Sequence, residues 1–183
     1  NGDVTGNHSG SRDYWIAKLS ADGFTIEWQK SLGGSDQDQG YSIEQTTDGG
    51  FIVAGNLENA WIMKLDSDGN IQWQKTYFEQ VDSYREVVKI HQISSNGYIM
   101  VGNEITPDFS ERKMWLAQIN GDGNIIWQKR YVIPGETSVT VSSLEATPDG
   151  GYILSGERQG SSWILKTDSS GAIIWQKFSV GGY

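Results

Sequence analysis

Acidic side chains beside glycine are the first candidates for chemistry in this 183-residue sequence. Asp66, Asp68 and Asn70 alternate like the opening ligands of a calcium loop, in which spaced oxygens wrap a hard cation. Such a loop takes its glycine at the sixth position and a bidentate glutamate at the twelfth. Here Gly69 is fourth and no glutamate closes the loop, so the spacing argues for a tight turn. Asp36 and Asp38, in Gly-Gly-Ser-Asp-Gln-Asp-Gln-Gly, form a second spaced pair that could hold calcium weakly on a flexible loop. No other cofactor and no other metal site is expected. His8 and His91 stand far apart without a cysteine, which makes neither a zinc site nor a catalytic base. No nucleophile clusters with a base and an orienting group, so no catalytic residue is assigned and the chain is read as a non-enzyme.

The elements that carry these residues are set by an internal repeat. Trp-Gln-Lys occurs four times, at Trp28, Trp73, Trp127 and Trp175, and a second tryptophan, Trp15, Trp61, Trp115 or Trp163, stands 12 or 13 residues before each. These eight are all the tryptophans of the chain. An isoleucine lies two residues before every Trp-Gln-Lys, at Ile26, Ile71, Ile125 and Ile173, which predicts a strand with Ile and Trp on one side. In the second repeat, strands are expected at Tyr41 to Thr46, Phe51 to Gly55, Trp61 to Leu65 and Ile71 to Lys75, designated a to d. Thr47-Asp48-Gly49-Gly50 and Asp66-Ser67-Asp68-Gly69 supply the hairpin turns, because glycine accepts the positive φ such turns demand.

Successive Trp-Gln-Lys motifs lie 45, 54 and 48 residues apart. Four strands per unit of that length specify an all-β fold, a β-propeller with four-stranded antiparallel blades. About four blades are expected, with boundaries at 1–34, 35–80, 81–134 and 135–183, and the first lacks strand a. Gly182-Tyr183 matches Gly40-Tyr41, so a strand a also begins where the sequence stops. The unpaired edge of the first blade is a template for self-association or for continuation in a longer chain. Asn1 without an initiator Met is expected of a processed or excised piece.

The tryptophans recur at one register and are expected to be structural, packed between blades; a buried Trp removes roughly 200 Å² from water, worth about 5 kcal/mol before entropy. Lys30, Lys75, Lys129 and Lys177 are expected to lie over the indoles. Variation concentrates between the glycine ending strand b and the tryptophan opening strand c, where the intervals are 9, 6, 13 and 7 residues. In a meander, these loops share one face with the d-to-a connections, and variable loops on a rigid scaffold are where recognition resides. The candidate binding residues on that face are Asn7, His8 and Arg12, then Asn56 and Glu58, then Asn103, Glu104, Phe109 and Arg112, and last Glu157 and Arg158.

Segments such as Trp61-Ile-Met-Lys-Leu-Asp-Ser-Asp-Gly-Asn-Ile-Gln-Trp73-Gln-Lys75 resemble the tryptophan-bearing repeats of secreted bacterial propeller proteins. More distantly they are similar to quinoprotein-type repeats, in which a strand-d Trp docks on the next blade. The resemblance implies an extracellular or cell-surface setting and supplies no substrate or cofactor. The Asp-box of sialidases, Ser-x-Asp-x-Gly-x-x-Trp, is missed by one residue, since Gly69 directly follows Asp68. The expected function is a recognition, adhesion or scaffold module for a glycan or a protein. A self-associating filament or surface-layer element and a fragment of a propeller enzyme are the alternatives. A net charge of −9 opposes phosphate binding, so nucleic acid is not an expected partner. No stretch approaches the roughly 20 apolar residues of a membrane span. Cysteine is absent, so there is no disulfide framework.

Overall fold

The computed structural model describes residues 13–32, 38–57, 59–77, 83–95, 97–133 and 135–179. They form four antiparallel sheets, and no helix occurs among them. The first sheet holds β1 (Tyr14–Leu19) and β2 (Ile26–Leu32), which answer to strands c and d. The second holds β3 (Asp38–Gln45), β4 (Phe51–Leu57), β5 (Asn59–Leu65) and β6 (Ile71–Tyr77). The third holds β7 (Tyr84–Ser94), β8 (Gly97–Ile105), β9 (Arg112–Asn120) and β10 (Ile125–Tyr131), and the fourth β11 (Val139–Ala146), β12 (Tyr152–Arg158), β13 (Ser161–Thr167) and β14 (Ile173–Phe178). Each complete sheet is a plain meander in sequence order. These are β-propeller blades, and the first contributes two strands among the described residues.

Three apolar layers lie between consecutive blades. Tyr14, Ile16 and Leu32 pack on Val53, Trp61, Met63 and Leu65; the other side of the second blade, with Ile52, Ala54 and Ile62, packs on Ile90, Tyr98, Met100, Trp115 and Ile119. The third layer joins Ile99, Val101, Met114 and Leu116 to Leu144, Tyr152, Leu154, Trp163 and Leu165. Alternation along each strand thus feeds two different cores, which is why the central strands β5 and β8 read as nearly continuous apolar runs.

A repeated bulge explains the glycine that ends the core of strand b. In β3, β7 and β11 the register slips at the same place, between Gly40 and Ser42, Val87 and Lys89, and Val141 and Ser143. The slip pushes a strand-a carbonyl toward its partner. A Cβ on Gly55, Gly102 or Gly156 would lie 2.0, 1.8 or 1.9 Å from the oxygen of Gln39, Glu86 or Thr140. No other residue type fits there without moving backbone.

A second repeated bulge breaks the simple alternation by which Ile and Trp of strand d were expected on one side of the strand. The register slips between them in all four repeats, at Lys18/Leu19, Lys64/Leu65, Ile125/Trp127 and Lys166/Thr167. Ile26, Ile71, Ile125 and Ile173 are left 43, 47, 40 and 49% exposed, because the extra residue rotates the chain before the tryptophan is reached.

On the side of the blades carrying the a-to-b turns, the second and fourth blades bury a lysine. Lys64 Nζ meets Asp48 Oδ2 at 2.8 Å and the Leu65 carbonyl at 3.0 Å. Lys166 Nζ donates to Asp149, Thr147 and the Thr167 carbonyl. The lysine bridge, with hydrogen bonds from Thr46 and the Gly50 amide, holds the Asp48 carboxyl down to about 2. The third blade has Gln118 at this position, and it accepts the Trp127 indole N–H at 2.6 Å.

Candidate functional site

The connections between strands b and c differ most where the sequence intervals differ, but the extra residues of the third blade build strand instead of loop. β8 and β9 stay in register out to Asn103 with Met114, Glu104 with Lys113 and Ile105 with Arg112. Asn103 and Glu104, expected in a loop, are therefore strand residues. Asn103 is 5% exposed; its Oδ1 accepts the Val141 amide at 2.9 Å and its Nδ2 donates to Glu86, fastening the third blade to the fourth. Glu104 bridges Arg85 and Arg130, with Oε2 3.1 and 2.8 Å from their guanidinium nitrogens. Both side chains are committed to structure. The Arg112 amide also donates to the Thr137 carbonyl, tying this hairpin to the link into the fourth blade.

The tip, Thr106 to Glu111, is short and closed. The Thr106 and Phe109 amides donate to the Glu111 and Thr106 carbonyls. Asp108 Oδ1 accepts the Thr106 hydroxyl and both the amide and hydroxyl of Ser110. Those donors hold the Asp108 carboxyl down to about 2, so it is ionised wherever the protein is folded near neutrality. Phe109 is carried at φ 58, a left-handed conformation unusual for a residue with a bulky side chain. The turn presents its ring to solvent, 65% exposed, stacked on Tyr84 with centroids 6.0 Å apart and planes 17° from parallel. Tyr84 is itself 51% exposed. Tyr84, Ile105 and Arg112 occupy one rung across β7, β8 and β9, so their side chains leave the sheet on one side. An exposed aromatic pair is the kind of apolar feature that marks a contact site.

Tyr84 carries none of the repeat's motifs in the sequence. An aromatic opening strand a directly after a d-to-a connection was the available signal.

The remaining candidates do not join this cluster. Asn56 is half-buried in β4, Glu157 is exposed on β12, and Arg158 is engaged with Glu136 at 3.0 Å and lies over the Phe178 ring at 4.5 Å. Asn7, His8, Arg12 and Glu58 lie outside the described residues, as does Asp36 of the weak calcium pair. Asp38 is 3% exposed in β3, not on a loop, and its charge adds to burial in raising the Tyr14 phenol. His91 pairs with Glu44 of the preceding blade at 2.8 Å. Among the described residues no three His, Asp or Glu side chains gather closely enough to hold a metal ion.

The tryptophans divide into three environments. Trp61, Trp115 and Trp163 are 3 to 4% exposed. Trp28, Trp73 and Trp127 are half-buried against the c-to-d turn of the following blade, where a Cβ on Gly69, Gly123 or Gly171 would meet the ring at 2.9 Å. Around this contact the Trp28 indole donates to the Ser67 carbonyl, Tyr77 and Tyr131 donate to the Gly123 and Gly171 carbonyls, and Lys30 and Lys75 reach Asn70 and Asn124. Trp15 and Trp175, expected in the same interior, are 57 and 38% exposed, because no further blade covers them among the described residues. The expected lysine–indole contact is seen at Lys177, 5.6 Å over Trp175; Lys30 and Lys75 go instead to the neighbouring asparagines.

No protein-family model matches the sequence, and no curated protein matches it. Solved structures match the fold. A putative exo-beta-1,3-galactanase from Bifidobacterium bifidum s17 aligns over 90% of this chain and 57% of its own length, at 13% identity and a TM-score of 0.53. A eukaryotic initiation factor aligns over 92% of this chain and 43% of its own, at 11% identity and 0.52. A protein of unknown function from Bacteroides caccae aligns over 89% and 74%, at 15% identity and 0.37. At such identities the likeness is one of fold and carries no residue role across, and the chain spans only about half the length of the two structures with the higher scores.

Proposed function

We propose that this chain is a non-catalytic recognition module of the cell exterior that binds a glycan on the face carrying its variable connections. The observation that supports this reading is the solvent-facing Tyr84–Phe109 stack, held by a closed turn on a rigid hairpin. Flat aromatic faces take the C–H faces of sugar rings, while polar groups beside them take the hydroxyls. Arg112 and the Glu111–Lys113 ion pair stand at the base of the turn to do so. Both rings are already exposed, Phe109 on the turn that Asp108 closes and Tyr84 on strand β7, so little conformational entropy is lost on binding.

The test is a glycan array followed by calorimetry on Phe109→Ala and Tyr84→Ala. Either variant should keep the wild-type melting temperature, since the rings are half or more exposed, and lose binding at least about tenfold, the loss of one stacking contact. Undiminished glycan binding in both would remove the site. Binding of a protein but no glycan would leave the face and overturn the ligand class.

A further inference from the structure

Four arginines lie among the described residues, and three of them hold a carboxylate. Arg85 and Arg130 share Glu104, and Arg158 holds Glu136. The fourth, Arg112, is exposed at the start of β9 and has no carboxylate at ion-pair distance among the described residues. The acidic side chains nearest to it in the hairpin and the following link are engaged elsewhere: Glu111 by Lys113, Asp108 by the Thr106 and Ser110 hydroxyls, and Glu136 by Arg158. Arg112 is thus an uncompensated cation in a chain of net charge −9.

The backbone beneath this side chain is fixed from two directions. Its amide donates to the Thr137 carbonyl at 2.7 Å, and the residue pairs with Ile105 of β8 and bridges to Ser138. Tyr84 stands across Ile105 in the same rung, so Tyr84 and Arg112 lie two strand spacings apart, roughly 10 Å, on one side of the sheet. That span takes one sugar ring on the Tyr84–Phe109 stack with a substituent of its edge turned to the guanidinium. A planar guanidinium matches a carboxylate through two parallel N–H···O bonds, a pairing that a neutral hydroxyl cannot reproduce. We infer that the ligand of this site is an acidic glycan, in which a carboxylate borne on the sugar ring binds Arg112. The inference rests on the glycan reading above and adds the charge of the ligand. Asp108, ionised at the tip of the turn, repels that carboxylate toward the Arg112 end. Because the chain as a whole repels an anion, a preference for one has to come from a local contact of this kind.

The test is calorimetry with two acids, an oligogalacturonate and a sialylated oligosaccharide, each beside its methyl ester, which keeps the ring and removes the charge. Wild type should bind at least one acid about tenfold or more tightly than its ester, the size of one charge-assisted contact, and the acid preferred identifies the sugar. Arg112→Gln should bring acid and ester together, and Arg112→Lys, which keeps the charge without the planar fork, should retain part of the difference. Arg130→Gln removes the same charge from the other side of the sheet, where Arg130 lies opposite Trp115, and should leave the preference as in wild type. Acid and ester bound alike by wild type, or a preference that survives Arg112→Gln, overturns the inference. In either case a loss of both ligands in Phe109→Ala leaves the glycan site standing. No binding of any of the four ligands, or binding untouched by Phe109→Ala, overturns the site and the inference together.

Discussion

β10 and β14 carry nearly the same residues, Ile-Ile-Trp-Gln-Lys, and differ in everything a neighbour supplies. In β10, Trp127 and Lys129 are half-buried and Tyr131 is buried; in β14 every side chain is exposed. Trp127 rests on Gly171 of the fourth blade, while Trp175 has its own Lys177 above it. The motif is therefore one half of a contact. Its energetic value resides in the following turn, not in the strand that carries it.

The strongest way to break this comparison is to truncate both rings. Trp127→Ala should lower the unfolding free energy by about 3 kcal/mol, and Trp175→Ala should stay within about 0.5 kcal/mol when measured in urea on dilute protein. Equal losses would show that the ring matters to its own blade alone. A smaller and cleaner contrast comes from Gly123→Ala and Gly23→Ala. Both glycines have φ 75, so both alanines carry the same left-handed penalty of about 1 to 2 kcal/mol. Only at Gly123 does the new methyl meet a ring, that of Trp73, which should add about 1 to 3 kcal/mol. If the two variants melt alike, the glycine is kept for its turn and not for the indole.

The smallest effect expected separates the second blade from the third by pH. The Asp48 carboxyl is held at about 2 in the folded protein, below its ordinary value of 3.8, so the unfolded chain takes up the proton first on acidification. The stability it contributes is complete above about pH 4 and is lost as pH falls toward about 2. Asp48→Asn should flatten the urea-unfolding profile across that window. Substituting Gln118, the uncharged counterpart of Lys64 in the third blade, should leave the slope unchanged.

Much of this was legible because repetition lets one sequence vote several times on the same structure. Trp-Gln-Lys with its spacing placed strands c and d in all four repeats, and the glycine before it, preceded by Asp in three repeats and by Ser170 in the fourth, placed their turn, since hairpin chemistry is local. The two bulges were not legible. A strand-period pattern puts Ile71 beside Trp73, and only pairing with β5 reveals the slipped register. Length was misread at the third b-to-c connection for a related reason. Polar Asn103 and Glu104 look like loop, yet their partners Val141, Arg85 and Arg130 are 19 to 38 positions away and appear only on folding.

The sequence by itself determined the repeat, the all-β class, the propeller blade and the face on which variation is concentrated. All of these follow from periodicity and from turn residues that act within a few positions. Tertiary structure alone decided which tryptophans are interior, which polar residues are fasteners, and that Tyr84 and Phe109 form one exposed stack. Those outcomes depend on what lies across a blade boundary, and identical residues at Trp127 and Trp175 become half-buried or exposed according to whether a neighbouring turn is there to exclude water.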